Sequence, residues 1–151
     1  MDSFDQTAHE LISYEDLSQR DVRSLLFHLL YAAESLDYQE STAAIIDNFN
    51  RGFNLNIPIN GSLAIMLQEI VDQRDTLDEI YKPFLDNWRF ERISVAVKLI
   101  LRFAVWELGK KETDPRIIIN EAIELTKAFA EKDAYRFVNG ILDKLVKSET
   151  I

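Results

Sequence analysis

Cysteine is absent from this 151-residue chain, which excludes disulfide frameworks, thiolate catalysis and cysteine-rich zinc modules. Only two histidines occur, His9 and His28, too few and too far apart for a zinc motif or a His-Glu-x-x-His helix. The four glycines, Gly52, Gly61, Gly109 and Gly140, are scattered singly, so no glycine-rich loop can cradle a phosphate, and no nucleophile elbow is present. No apolar run nears the roughly 20 residues of a membrane span without a charge. The N-terminus has neither the basic start nor the apolar stretch of a secretory signal. The expectation is a cytoplasmic protein with no membrane partner, no metal, no cofactor and no catalytic residues, and hence not an enzyme.

Net positive charge is also missing. The chain carries −9, whereas a nucleic-acid binder usually presents a basic domain or stripe. The distribution alters that argument. Residues 1–17 hold Asp2, Asp5, Glu10, Glu15 and Asp16 with no Lys or Arg; residues 18–85 hold ten acids against five bases; residues 86–151 hold eleven acids against twelve bases. Attraction to phosphate must therefore be local and must lie outside the leader.

What the chain does have is helical periodicity, with 47% of its residues hydrophobic, enough for one compact domain with a real core. Residues 1–17 read as an acidic, flexible N-terminal extension. Ser18 is placed to cap a helix whose stripe is Val22, Leu25, Leu26, Leu29 and Ala33. A second helix spans about 41–51, with Gly52 as its stop. The Asn-rich stretch 53–61, with Pro58, breaks the helical pattern as a connecting segment, and the expected lobes are about 18–85 and 86–151.

Beyond it, Leu63, Met66, Leu67, Ile70, Leu77, Tyr81 and Phe84 trace one long helix, with Asp72, Asp75, Asp78 and Glu79 on a solvated face. Residues 95–108 are apolar nearly all round, as in a helix packed on several sides. Gly109 is the expected C-cap, Asp114 and Pro115 a turn, and Asn120 the N-cap of the next helix, with Glu121 and Glu124 in its first turn. Asp133 is the expected cap of a last helix with the stripe Ala134, Phe137, Val138, Ile141, Leu142, Leu145 and Val146. Asn139 and Gly140, inside it, are expected to admit a close backbone. The fold class is all-α.

Three blocks carry more than composition: ILRFAVWEL at 100–108, INEAIEL at 119–125 and RFVNGILD at 136–143. In that order and spacing they resemble the bacterial NusB family, whose C-terminal half reads LRxAxYEL, INEAIEL and KFVNGVLD. The resemblance covers essentially 18–147 and is strongest from Trp88 onward. It implies a fold of two small helical bundles packed together, about seven helices in all. It implies a transcription antitermination factor that binds single-stranded boxA-type RNA in nascent ribosomal transcripts. It also implies a small-subunit ribosomal protein, NusE, as partner, within an RNA polymerase antitermination complex.

The family's RNA contacts match here at Arg20 and Arg23 in the first helix, at Tyr31, and around the last turn at Lys127, Lys132, Asp133, Tyr135 and Arg136. The family's first helix typically opens with an arginine run, which Gln19 and Asp21 interrupt. Arg102, Phe103, Trp106 and Glu107 match the partner-protein face. Each assignment has a competitor: Arg20 and Arg23 can pair with Glu15, Asp16 or Asp21; Tyr31, Phe103 and Trp106 can be core aromatics; Asp133 can be a helix cap. A second functional reading therefore stays open. In it the chain is a NusB-fold interaction module with weakened or lost RNA binding, self-associating as a homodimer or retaining only the protein partner.

Overall fold

A computed structural model describes residues 13–151. Most of the expected flexible extension, residues 1–12, lies outside the described residues. Seven α-helices occur among the described residues, and no strand: α1 (Gln19–Ser35), α2 (Thr42–Phe53), α3 (Ser62–Asp72), α4 (Arg74–Tyr81), α5 (Val95–Lys110), α6 (Pro115–Phe129) and α7 (Ala134–Lys147). Single 3₁₀ turns cover Tyr14–Asp16, Lys82–Phe84 and Phe90–Arg92. The described residues divide into two compact units, one up to Glu69 and one from Ile70 to Ile151. The division falls ahead of the expected boundary at 85/86, and α4 belongs to the second unit.

In the first unit, α1 opens with a reciprocal capping box. The Ser18 hydroxyl accepts the Asp21 N–H at 3.1 Å, and the Asp21 carboxylate accepts the Ser18 N–H at 3.4 Å, satisfying two otherwise orphaned donors. Leu26, Leu29, Leu30 and Ala33 of α1 are buried, as are Ile45 and Ile46 of α2, which packs on α1. α2 runs through Gly52, and its left-handed terminus falls at Asn54 (φ 53°), since Asn tolerates that conformation nearly as glycine does. The Asn50 side chain then holds both backbone groups of Ile57, accepting its N–H at 2.8 Å and donating to its carbonyl at 3.0 Å. Tyr14 N–H donates to the Asn56 side chain at 2.6 Å, tying the first described turn to this link.

The expected long helix from Leu63 to Phe84 is broken. α3 ends at Asp72, α4 starts at Arg74, and a 3₁₀ turn completes the path to Phe84. The expected solvated acidic face is corrected at one position: Asp78 is buried, and its carboxylate accepts from Arg102 Nε at 3.0 Å and Nη2 at 2.8 Å. This bidentate pair joins α4 to α5 inside the second unit. Tyr81, one turn along, has no exposed surface. Its phenol is held far above its usual pKa by burial and then by the charge of Asp78.

α5 is the hub of that unit, buried over most of its circumference and packed on α4, α6 and α7. It runs past Gly109, with Lys111 at φ 58° as its terminus. α6 starts earlier than expected. Its N-cap is Asp114, which accepts the Arg116 N–H at 2.9 Å, and Pro115 occupies the first turn, where its missing N–H costs nothing. Asn120 is thus interior to the helix. α7 packs on α6. At Gly140 an added Cβ would meet nothing within 4 Å, so no close backbone explains this glycine.

Two stability predictions follow from this packing. Asp78→Ala leaves Arg102 buried and uncompensated, and should cost about 3–5 kcal/mol in urea unfolding, with an Asp78→Leu, Arg102→Met double variant recovering most of it. A double variant no better than the single would show that the pair is not the source of the loss. Gly140→Ala should raise stability by about 0.5–1 kcal/mol through helix propensity, and a fall in melting temperature would contradict the open space beside it.

Candidate nucleic-acid interface

The second unit carries an aromatic residue set among cations. Tyr135, half-buried in the first turn of α7, has Lys127 Nζ 4.9 Å and the Arg136 guanidinium carbon 5.7 Å from its ring centroid. Arg136 Nε also donates to the Tyr135 hydroxyl at 3.2 Å. That hydrogen bond, then electrostatics from Tyr135 and Asp133, raises the arginine's pKa, although a guanidinium is charged in any case. Two cations held on one ring combine point attraction for phosphate with a planar surface for a base.

The turn before α7 is strained in a useful direction. Asp133 sits at φ 70° and its side chain makes no cap hydrogen bond, which corrects its expected capping role. Its carbonyl accepts the Arg136 N–H instead, leaving the exposed carboxylate on the rim of a cleft of about 280 Å³. Trp88 and Phe137 line this cleft, their rings 5.2 Å apart and inclined at 64°, together with Arg92, Ser94, Glu131 and Lys132. Trp88 is 62% exposed, unusual for so large an apolar ring. Ser94 caps α5 at Val97 N–H and donates to Glu131 at 3.1 Å, fixing one wall.

Trp88, Arg92 and Phe137 were not expected site residues. The helical period had placed Phe137 in the core stripe, and only the neighbouring Trp88, Arg89 and Arg92 hinted at aromatic residues interleaved with bases. The cleft offers a stacking wall with cations at its edge, the chemistry that reads an unpaired base. A charged ligand would meet Glu131 and Asp133 as well, so the walls discriminate rather than simply attract.

In the first unit, Arg20, Arg23, Phe27 and Tyr31 recur at three and four residues and share one face of α1. Arg20 is exposed, Arg23 half-buried, and both make interactions beyond the helix backbone. Buried Phe27 supports the Tyr31 ring at 6.0 Å, and Tyr31 is 42% exposed, so a large part of the ring is available to solvent.

The four residues expected on a partner-protein face divide. Arg102 and Phe103 are buried, and the Arg102 guanidinium is turned inward on Asp78, so it is a structural cation rather than a surface contact. Trp106 is 9% exposed and Glu107 half-buried. Trp106 lines a separate cavity of about 380 Å³ with Leu77, Ile80, Val105 and Lys110, whose ammonium lies 5.2 Å from the indole ring.

A sequence profile described as the NusB family matches residues 20–147. The chain belongs to the NusB family. Among its relatives is the transcription antitermination protein NusB of Staphylococcus epidermidis, 32% identical over 133 residues, 85% of this chain and 98% of that protein. The protein of the same name from Aeromonas salmonicida is 39% identical over 104 residues, 68% of this chain and 72% of the relative. The solved structure of Thermotoga maritima NusB superposes with a TM-score of 0.74 at 25% identity, covering 89% of this chain and 94% of that one. The all-α architecture read from the NusB resemblance is thus the fold observed.

In this NusB-family chain both clusters fall inside the matched segment. Among the described residues no group of three or more His, Asp or Glu could hold a metal ion, and no helix is long and apolar enough to cross a membrane. The exposure of Trp88 yields a direct check. Acrylamide should quench chiefly Trp88, so Trp88→Phe should remove most of the quenchable emission while changing stability by less than about 1 kcal/mol. Equal quenching of both proteins would place Trp88 out of solvent.

Proposed function

We propose that this NusB-family chain is a transcription antitermination factor that binds single-stranded boxA-type RNA, with the ribosomal protein NusE as partner in the RNA polymerase antitermination complex. The observation that carries the reading is the set of Lys127, Tyr135 and Arg136 beside the Trp88 and Phe137 cleft. Family membership supports it, since relatives bear the name of transcription antitermination proteins. In a chain of −9 net charge, cations of α6 and α7 held on one aromatic ring suit a polyanion with unpaired bases.

The roles divide by chemistry. Lys127, Lys132 and Arg136 contact phosphates and set affinity and its salt dependence, while Tyr135 and the Trp88 ring stack on splayed bases. Asp133, an acceptor on the cleft rim, can take a base amino group and favour bases that carry one there. Arg20, Arg23 and Tyr31 supply the contacts of the first unit. Trp106 and Glu107 remain the candidates for the NusE face.

Titration of fluorescent boxA-type RNA, with and without NusE and at two or more salt concentrations, tests the reading. Tyr135→Ala should cost about 1–3 kcal/mol of binding, and Lys127→Ala should lower the slope of log affinity against log salt by about one. Absence of binding at low salt even with NusE present would leave the alternative, a protein-interaction module without RNA affinity.

A further inference from the structure

Residues 82–94 join α4 to α5 and bring Trp88 and Arg92 to the cleft with only two single 3₁₀ turns of regular structure. Such a segment holds two long side chains in place only if something else fixes it. Asp86 of this link is left-handed (φ 55°) and its carboxylate accepts from Lys144 of α7, but that pair is exposed and weak for that reason. The fastening at the other end is of a different kind. Phe90 has Lys82 Nζ and Lys98 Nζ each 4.3 Å from its ring centroid, and the ring of fully buried Tyr81 lies 6.2 Å away. Lys82 opens the link as the C-cap of α4 and Lys98 stands in the first turn of α5, so one ring ties the start of the segment to the helix that follows it. Lys82 is also held by Glu79 at 2.7 Å, which orients its ammonium.

We infer that Phe90 is a positioning residue for RNA recognition: by capturing Lys82 and Lys98 on its ring it holds the link in the shape that presents Trp88 and Arg92. The inference rests on the reading of the cleft as an RNA site. The ring quadrupole of Phe90 does the work, because a cation is attracted to an aromatic face and not to an aliphatic side chain of similar volume.

The test compares Phe90→Leu, Phe90→Tyr, Lys98→Met, Trp88→Ala and the Phe90→Leu, Trp88→Ala double variant, each verified as folded by thermal melting. Without RNA, Phe90→Leu and Lys98→Met should increase acrylamide quenching of Trp88, and Phe90→Tyr should not. With boxA-type RNA, Phe90→Leu should weaken binding about three- to tenfold, the worth of one or two such contacts, at unchanged salt slope because no phosphate contact is removed. Phe90→Tyr should bind as the parent does, and Phe90→Leu should add little to Trp88→Ala.

Unchanged Trp88 quenching in Phe90→Leu overturns the inference whether or not RNA binds. Additive losses in the double variant, or a Phe90→Tyr variant as weak as Phe90→Leu, overturn it too. If the parent protein binds no RNA, the RNA reading fails, and the quenching comparison still decides whether Phe90 holds Trp88.

Discussion

The bidentate pair of Asp78 and Arg102 fixes how α4 lies on α5. Burying two ions is costly, and their mutual attraction repays this only when geometry is good and the charges are matched. Here the guanidinium fork meets both carboxylate oxygens, which admits a narrow range of approach between the helices. Such a pair specifies register more than it adds stability. Asp78 lies three residues before α4 ends at Tyr81, so the pair anchors the helix from which the link to α5 departs. Trp88, Phe90 and Arg92 all sit on that link, between two helices that the buried pair holds together without lining the cleft itself.

Much of the fold was legible because amphipathic helices announce themselves by period. The α1 stripe, the nearly all-apolar α5 and the stripe of α7 were all readable in that way, as was the Ser18 cap. What misled was local punctuation. Gly52 and Gly109 looked like helix stops, yet Asn54 and Lys111 take the left-handed positions, because a helix ends where its packing ends and a non-glycine can bear the strain. Asn120 had a capping residue's chemistry but stands inside α6, where Asp114 and Pro115 form a stronger start. Asp78 was indistinguishable in sequence from its solvated neighbours, since a buried ion pair depends on a partner 24 residues away.

The candidate site was half readable. Lys127, Tyr135 and Arg136 came from the family resemblance, and the structure brings Lys127 of α6 and Arg136 of α7 together on the Tyr135 ring. Trp88 and Arg92 lie more than 40 positions from Asp133 and meet the same cleft only through tertiary folding. Arg102 shows the opposite failure. Its place in the family motif looked functional, and its role is to hold the scaffold.

Asp21 breaks the arginine run of α1, but its carboxylate closes the helix start by accepting the Ser18 N–H while Ser18 returns the bond. A helix N-terminus with free N–H groups is a ready seat for an anion. Here a fixed negative charge already occupies that seat, so an incoming phosphate is repelled from the tip. Attraction is left to the side chains of the face shared by Arg20, in the first turn, and Arg23, one turn on. The capping acid thus places a carboxylate between Arg20 and Arg23 in the sequence of the first turns, so that the helix tip offers side-chain cations and no free backbone seat for an anion.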